Sequence, residues 1–293
     1  MGFLSRLKQL FRPAPPPVGL GIALGSGGAK GMAHLGALKA FEEAGITFSF
    51  VAGTSIGAVV GALLAKGYSA EDMRRIVEAV NRREFSRNLR PFADLTFAEQ
   101  FLENYLEGDF TTLSLPFAAC ATDGKDNRLV VLRKGKLARA VTASSAIPPL
   151  FKGVQMDGRE LYDGAFTNAI PTDVCRALGA EFVIGIDLAA FAKPEEEKGR
   201  FSRLLGSALT HIQPVRYTED QRTRGYQSAD YMLRPPLGAF RSTDISEAAM
   251  EEMYTLGYEE AKRCMEEIRE AISAFSKEKN GKRPFAGRGA RRS

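Results

Sequence analysis

The chain has 293 residues, of which 44% are hydrophobic, and this is enough apolar material to bury the core of a sizeable enzyme domain. Its two histidines and three cysteines are too few and too dispersed for a zinc or iron site or a disulfide framework. The formal net charge of +5 resides in the two ends of the chain, so the mildly acidic body does not suggest a nucleic-acid-binding surface.

The chain begins with a predicted basic amphipathic helix and a proline-rich linker, which together occupy residues 1–18. Apolar side chains recur at helical spacing with basic residues between them. The apolar residues are Phe3, Leu4, Leu7, Leu10 and Phe11. Such a helix suits peripheral contact with an anionic membrane surface, and it equally suits packing on the domain or self-association. Each basic residue near such a surface contributes only about 1 kcal/mol, so membrane attachment through this segment would be weak and salt-sensitive.

A single domain is predicted over residues 19–276, and it begins with a strand-to-helix junction. A buried strand over Leu20–Leu24 runs into the glycine-rich loop Gly25–Gly31, and a helix follows from Met32 to Ala44. A glycine-rich loop at a helix N-terminus presents free backbone N–H groups and the positive end of the helix dipole to an anion. The loop is therefore a candidate anion site.

The spacing within this loop argues against two common nucleotide motifs. A Walker loop needs Ser or Thr after its lysine, whereas Lys30 is followed by Gly31, and the dinucleotide fingerprint needs glycine at the position of Lys30. The remaining chemical role is to bind the transient oxyanion that forms when a serine attacks a carbonyl group. Gly27 and Gly28 are the first predicted donors, with Ala29 beside them, and a plain structural turn is the alternative.

The second strand-to-helix junction carries a G-x-S-x-G pentapeptide. Its residues are Gly53, Thr54, Ser55, Ile56 and Gly57. A strand-like apolar run over Phe48–Ala52 precedes it and a helical run over Ala58–Lys66 follows, which is the layout of a nucleophile elbow. The flanking glycines relieve the crowding that a Cβ atom would create in so tight a turn. Ser55 is therefore the candidate nucleophile.

Beyond the elbow, strand-like and helical runs continue to alternate. Residues 69–107 are polar and rich in helix, and they could form a cap over the serine. Further strands are predicted at Pro116–Ala121, Leu129–Leu132 and Phe182–Asp187. This alternation predicts an α/β fold with a largely parallel sheet.

Three residues are candidates for the base that would activate the serine. His34 lies in the first turn of the helix after the glycine loop, where packing or a local hydrogen bond is its expected role. His211 would complete the chain order Ser…Asp…His of an α/β-hydrolase triad. Asp163 follows a polar turn and begins an Asp-Gly step, which is common in ordinary turns. The chain order alone does not choose between the last two.

The C-terminal part of the chain is predicted to be a helical region followed by a basic tail. From Ser246 to Phe275 apolar residues recur at roughly helical spacing, which indicates core packing. Residues 277–293 are too poor in apolar side chains to fold alone and are predicted to be disordered. The cysteines are interpreted as buried core residues, namely Cys120, Cys175 and Cys264.

The glycine loop, the serine pentapeptide and the turn Asp163-Gly164-Ala165 together resemble the patatin-like phospholipase family. The resemblance covers roughly residues 19–188, continues more weakly to about residue 275, and includes the segment Ala143–Pro148. It implies a three-layer α/β/α fold with a mostly parallel central sheet. It also implies that Ser55 is the nucleophile and Asp163 its base, without a histidine, and that the glycine loop with Lys30 and Gly31 forms the oxyanion hole.

Two positions depart from the family pattern. Ser26 stands where many members have the first of three consecutive glycines, and Ala165 replaces the second glycine of D-G-G. Neither change removes a reacting group. The Cβ atom of Ala165 predicts a φ angle below zero at that position, and Ser26 is expected to tighten the loop.

The resemblance implies a serine acyl hydrolase of the phospholipase A or lysophospholipase type, which cleaves carboxylic esters of lipids through an acyl-enzyme. The expected partner is a lipid or lysophospholipid substrate, with no cofactor, metal or nucleic acid; the oligomeric state is open. The alternatives are a small-ester or thioester hydrolase, and a weakly active regulatory or binding protein on the same fold. The absence of a signal peptide and of a run of ~20 apolar residues predicts a cytoplasmic protein, with peripheral attachment at the inner membrane surface left open.

Overall fold

The computed structural model describes residues 18–80, 92–191 and 225–281. The strands are β1 Leu20–Leu24, β2 Phe50–Thr54, β3 Phe117–Asp123, β4 Leu129–Leu132, β5 Val154–Met156, β6 Arg159–Asp163, β7 Phe182–Ile186 and β8 Tyr231–Leu233. The helices are α1 Met32–Glu43, α2 Ile56–Lys66, α3 Ala70–Ala79, α4 Thr96–Glu103, α5 Leu137–Ser144, α6 Thr172–Ala177, α7 Glu247–Arg263 and α8 Met265–Gly281. The predicted N-terminal helix and His211 lie outside the described residues.

The strands form one mixed sheet whose hydrogen-bonded neighbours follow the path β5-β6-β3-β2-β1-β7-β8, and β4 also pairs with β3. Strands β3, β2, β1, β7 and β8 are parallel neighbours, whereas β4, β5 and β6 pair in antiparallel fashion. This arrangement confirms the predicted α/β fold with a mostly parallel central sheet. The sequence pattern does not predict β5, β6 or β8, because each is short and only partly apolar.

Helices cover both faces of the sheet, and the side chains of β1 show how. The large side chains of Leu20, Ile22 and Leu24 join the main core cluster with α1 and α2. Ala23 points the other way and joins a smaller cluster with Cys175 of α6. On that face a Cβ atom on Gly21 would lie 2.5 Å from the Cys175 Sγ, so α6 lies close to the sheet. All five residues of β1 are buried, as expected of a strand covered on both faces.

Helix α1 begins where the glycine loop ends, and it packs closely along α7. A Cβ atom on Gly36 would lie 2.0 Å from the carbonyl oxygen of Tyr254. One on Gly257 would lie 2.1 Å from the carbonyl oxygen of Ala33. The two helix backbones therefore meet at these glycines, which anchors the helix that carries the end of the loop.

The C-terminal helical region consists of two helices, because the chain turns at Cys264 between α7 and α8. All three cysteines are buried and free, which confirms their interpretation as core residues. Helix α8 continues to Gly281, so the first five residues of the predicted disordered tail are helical. An ion pair between Lys279 and Glu181 holds this end against the domain. The described ranges contain no helix that combines the length and apolarity needed to span a bilayer.

Helices α3 and α4 occupy the region predicted to form a cap. The amide of Ala70 at the start of α3 donates to Glu42 Oε1 at 2.8 Å, and Met73 and Ile76 are buried in the main core. Glu42 lies at the end of α1 that is remote from the glycine loop. Helix α3 therefore begins at the end of α1 that is remote from the glycine loop, and its apolar side packs on the domain.

Candidate active site

Ser55 alone makes the turn between β2 and α2. Strand β2 ends at Thr54 and α2 begins at Ile56, and Ser55 has φ 57° and ψ −125°. A positive φ in a residue with a Cβ atom is strained and persists only where the surrounding structure fixes it. The side chain is only 5% exposed. This geometry confirms the predicted strand-to-helix elbow.

The glycines on either side of Ser55 are required by close backbone contacts. A Cβ atom on Gly53 would lie 2.2 Å from the carbonyl oxygen of Gly57. One on Gly57 would lie 2.1 Å from the carbonyl oxygen of Leu24, at the end of β1. These distances confirm that small neighbours are a steric requirement of the turn, since real Cβ atoms do not approach backbone oxygen so closely.

Strand β3 brings Asp163 to the elbow. Thr54 at the end of β2 pairs with Cys120, and the next residue of β3, Ala121, pairs with Asp163 at the end of β6. Ala121 also pairs with Val130 of β4 on its other side. Strand β6 therefore occupies the same edge of β3 as β2, immediately beyond the point where β2 ends. Ser55 and Asp163 are separated by many residues in sequence and meet at this junction.

The Asp163 carboxyl group is 1% exposed and only partly hydrogen-bonded. Its Oδ1 accepts from the amide of Ala165 at 2.8 Å, whereas Oδ2 has no hydrogen-bond partner among the residues that the structure describes. Burial raises the pKa of Asp163 from its usual value near 4 to about 7, while the Ser55 hydroxyl and the Ala165 amide limit the rise. The Ser55 hydroxyl thus favours the carboxylate without completing a hydrogen bond to it, as is common before substrate binds.

The turn after Asp163 has the backbone expected from its sequence. Gly164 and Ala165 form a short 3-10 turn, and neither has a positive φ, which confirms the prediction for Ala165. Gly164 is required for another reason, since a Cβ atom there would lie 2.1 Å from the carbonyl oxygen of Cys120. The turn therefore lies directly against β3.

The glycine loop lies beside the elbow. A Cβ atom on Gly31 would lie 2.2 Å from the Cγ1 of Ile56, so the end of the loop is in direct contact with the first residue of α2. The amides of Gly25 and Ser26 donate to the carbonyl groups of Ile186 and Ala169, which fixes the start of the loop to β7 and to the turn after Asp163.

The amides of the predicted donors differ in their partners. Those of Gly27 and Gly28 form no hydrogen bond within the described ranges, and they are free to meet an anion. The amide of Ala29 donates to the carbonyl oxygen of Ser242 at 2.8 Å. A Cβ atom on Gly28 would lie 2.5 Å from the same oxygen, so Ser242 lies against the loop. Ala29 is therefore not available as a donor in this conformation.

His34 is buried beneath the glycine loop and takes no part in the serine junction. Its Nε2 donates to the carbonyl oxygen of Gly25 at 2.8 Å, and Nδ1 has no partner among the described residues. Burial lowers the pKa of His34 to about 4, so the ring is neutral at neutral pH. The predicted local hydrogen bond is present. The described ranges also contain no group of three or more His, Cys, Asp or Glu side chains placed to hold a metal ion.

Two residues at the junction are not predicted as site residues from the sequence. The hydroxyl oxygen of Ser144 accepts from the amide of Ser55 at 3.0 Å, and the carbonyl oxygen of Ala146 accepts from the amide of Asp163 at 2.9 Å. Both residues belong to the segment Ala143–Pro148, which carries part of the family resemblance. The resemblance signals that the segment matters, but the contacts depend on folding.

The fold and the elbow define the class of protein: a three-layer α/β protein with a buried serine on a strained turn at the carboxyl end of a parallel strand. The family model of the patatin-like phospholipases matches residues 22–176, which is more than half of the chain. The chain belongs to the patatin-like phospholipase family.

Several relatives are much longer proteins. Human patatin-like phospholipase domain-containing protein 6 is 30% identical over an alignment of 285 residues, and the match covers 83% of this chain and 20% of that protein. An uncharacterized NTE family protein of Mycobacterium tuberculosis is 33% identical over 174 residues, which cover 57% of this chain and 48% of that one. The chain thus spans about a fifth of the first relative's length.

Two solved structures share the fold. VipD from Legionella pneumophila superposes with a TM-score of 0.51 at 15% identity, covering 89% of this chain and 67% of that one. Human GIVD cytosolic phospholipase A2 also gives a TM-score of 0.51, at 12% identity, covering 89% of this chain and 60% of that one. At these identities the similarity concerns the fold alone.

Proposed function

We propose that this protein is a serine acyl hydrolase that cleaves carboxylic esters of lipids, with Ser55 as nucleophile and Asp163 as base. The observation that carries the proposal is the meeting of a strained serine and a buried carboxyl group at the junction of β2 and β6. A structural carboxylate would have its oxygens satisfied, because an unpaired buried charge is costly. Asp163 Oδ2 instead has no partner in the described structure and is free to accept a proton.

The first chemical step is acylation of the serine. Asp163 takes the hydroxyl proton as Ser55 Oγ attacks the ester carbonyl carbon, and the carbonyl oxygen becomes an oxyanion. The free amides of Gly27 and Gly28 donate to that oxyanion; removal of one such donor typically costs on the order of 10²–10³ in turnover. Collapse of the tetrahedral intermediate breaks the ester bond, and Asp163 returns its proton to the departing alcohol.

The second step reverses the roles with water. Asp163 takes a proton from water as the water oxygen attacks the acyl-serine, the same two amides stabilise the second oxyanion, and Ser55 recovers its proton from Asp163 as the carboxylic acid leaves. No other base is needed. A base works best when its pKa is close to the working pH, and burial brings the pKa of Asp163 to about 7.

Family membership supports a lipid ester as the substrate class, since relatives carry the name phospholipase. Phospholipid and lysophospholipid are both proposed, and short esters and thioesters are the competing substrates. The basic N-terminal segment is a proposed contact with anionic membrane. Unchanged binding to anionic vesicles after deletion of residues 1–17 would exclude that contact.

Labelling with a fluorophosphonate probe tests the nucleophile and the base together. We expect wild type to be labelled at Ser55, Ser55→Ala not to be labelled, and Asp163→Asn to be labelled at least 100-fold more slowly. Asp157→Asn is the matched control, since Asp157 lies in the exposed turn between β5 and β6 and Asn suits its φ of 51°. Hydrolysis of phospholipid, lysophospholipid, short ester and thioester then ranks the substrate classes.

The histidines provide the decisive comparison with a triad. Loss of labelling in folded His211→Ala would restore the Ser…Asp…His alternative, while normal labelling would support the dyad. For His34 the informative variant is His34→Gln, whose amide can replace the hydrogen bond from Nε2 to Gly25. Absence of labelling in wild type, or labelling of another residue, would favour a binding or regulatory protein on the same fold.

A further inference from the structure

The amide of Ser55 receives an unusual partner. Pairing between β2 and β3 ends with Thr54 and Cys120, and the N–H group of Ser55 is the next one along the chain. The hydroxyl oxygen of Ser144, at the end of α5, accepts from Ser55 N at 3.0 Å. The same hydroxyl donates to the carbonyl oxygen of Cys120 at 2.5 Å. A hydroxyl has one hydrogen, so donating to Cys120 leaves it an acceptor toward Ser55.

The position of Ser144 leaves this hydroxyl little freedom. Ser144 is fully buried, and its two hydrogen bonds join the elbow to β3. Ser55 is held at φ 57° and ψ −125°, a conformation that relaxes unless its neighbours fix it. A buried hydroxyl bonded to the amide of the strained residue is such a constraint, and it acts one covalent bond away from the Cα to which the serine side chain is attached.

The same segment also holds the base. Two residues after Ser144, the carbonyl oxygen of Ala146 accepts from the amide of Asp163 at 2.9 Å. Ser144 and Ala146 thus contact the backbones of Ser55 and Asp163 respectively, while β3 pairs with the strands that carry them. The segment and β3 together set the separation between the two reacting side chains.

We propose that Ser144 is a positioning residue: its hydroxyl fixes the backbone of Ser55 so that Oγ faces Asp163 and the glycine loop. The inference rests on the proposed function of Ser55 and Asp163. Ser144 does not touch the reacting atoms, and it acts only through the elbow backbone. A misplacement of about 1 Å can cost on the order of 100-fold in rate, so loss of this constraint should be visible in kinetics.

The chain offers a matched control in the adjacent residue. Ser145 also has a hydroxyl bonded to a backbone carbonyl, that of Val141 at 3.0 Å. This is a bond within the helix, from the serine to the residue four positions earlier, and it does not reach the elbow. Ser145→Ala therefore removes a hydroxyl from the same turn without changing the constraint on Ser55.

The test measures the rate of fluorophosphonate labelling, together with kcat and KM, in four variants of the full chain. Ser144→Ala and Ser144→Cys are expected to label ~10- to 100-fold more slowly, with kcat reduced and KM unchanged, because binding does not need the hydroxyl. Ser144→Thr retains a hydroxyl and is expected to recover most of the rate. Ser145→Ala should label at the wild-type rate.

The pH profile of labelling distinguishes a loss of Ser55 positioning from a general loosening of the site that admits water to Asp163. Burial of Asp163 is unaffected by loss of the hydroxyl, so the midpoint should stay near pH 7 while the plateau falls. Entry of water into a loosened site would shift the midpoint toward the normal range of an aspartate. Wild-type rates in Ser144→Ala and Ser144→Cys, equal losses in Ser145→Ala, or a shifted midpoint would overturn the inference. If wild type itself is not labelled at Ser55, the proposed function fails first.

Discussion

Ala121 of β3 pairs with Asp163, one residue beyond the position where Cys120 pairs with Thr54. Two strands of opposite direction therefore share one edge of β3, end to end. The serine after the first and the aspartate at the end of the second meet at the gap between them. This relationship makes β3 the element that sets the geometry of the proposed dyad.

The first prediction concerns the pH dependence of activity. The base must be ionised to accept a proton, and burial places the pKa of Asp163 at about 7. We expect kcat/KM to increase tenfold per pH unit below about pH 7 and to reach a plateau above it. Initial rates on a fixed ester between pH 5 and pH 9 provide the measurement. A profile with a midpoint near pH 4 would contradict the role of a buried carboxyl.

The second prediction concerns the stability cost of the same group. Because the folded pKa of Asp163 lies above the unfolded value, its protonated form stabilises the fold below about pH 4, and this contribution is lost as pH rises through 7. Asp163→Asn cannot ionise, so it should be more stable than wild type above pH 7, by up to roughly 4 kcal/mol. Urea unfolding at pH 8.5 and pH 4.5 tests this.

The control for this stability experiment is Asp157→Asn, in the exposed hairpin turn. It should change stability little at either pH. An Asp163→Asn variant that is less stable than wild type at pH 8.5 would show that the ionised carboxylate is a structural group.

The third prediction concerns His34, whose contribution to stability changes with pH in the opposite direction to that of Asp163. Its folded pKa of about 4 lies below the unfolded value of about 6.5, so the unfolded chain binds the extra proton between these pH values. Its contribution to stability is present above pH 6.5 and is lost as pH falls toward 4, by roughly 3 kcal/mol in total.

His34→Gln does not titrate, and its amide can still donate to the carbonyl of Gly25. Lowering the pH from 7.5 to 4.5 should therefore destabilise wild type relative to this variant. Denaturant unfolding of both proteins at the two pH values measures it. An unchanged difference would mean that His34 is not buried as a neutral ring.

The fourth prediction concerns the steric limit at the elbow. A Cβ atom on Gly57 would lie 2.1 Å from the carbonyl oxygen of Leu24, and neither backbone can move without disturbing the end of β1. We expect Gly57→Ala to destabilise the fold by more than about 2 kcal/mol and to slow labelling of Ser55 strongly. Gly19→Ala is a milder comparison, since its Cβ would lie 3.2 Å from a ring carbon of Phe50. Equal stabilities of the two variants would refute the steric account.

Much of the site can be predicted because its parts are local. Glycines around a serine between a strand and a helix are enough to predict the turn. The clashes that exclude larger residues there involve atoms within the turn or in the neighbouring strand. The loop Gly25–Gly31 is recognisable for the same reason. The motif around Asp163 is also visible, although a bare Asp-Gly step does not distinguish a base from an ordinary turn.

Other features escape prediction because they depend on partners far along the chain. The region of α3 is polar in sequence, yet Met73 and Ile76 supply an apolar side that packs on the core. Ala29 belongs to the predicted oxyanion loop, but its amide is bonded to Ser242, which no local pattern connects with it. The sequence around Ser144 does not distinguish it from other serines at helix ends. Its role depends on hydrogen bonds to Ser55 and Cys120, which only the folded sheet brings within reach.

The turn at Ser55 and the glycine loop can be predicted from the sequence, because they follow from residue size and short-range backbone geometry, and the family resemblance adds Asp163 as the base. Which groups meet depends on the tertiary structure. The antiparallel strand β6 occupies the edge of β3 left open where β2 ends. Burial of the Asp163 carboxyl group at this position raises its pKa. Strand pairing and exclusion of water are properties of the assembled sheet, and no local segment of the chain contains them.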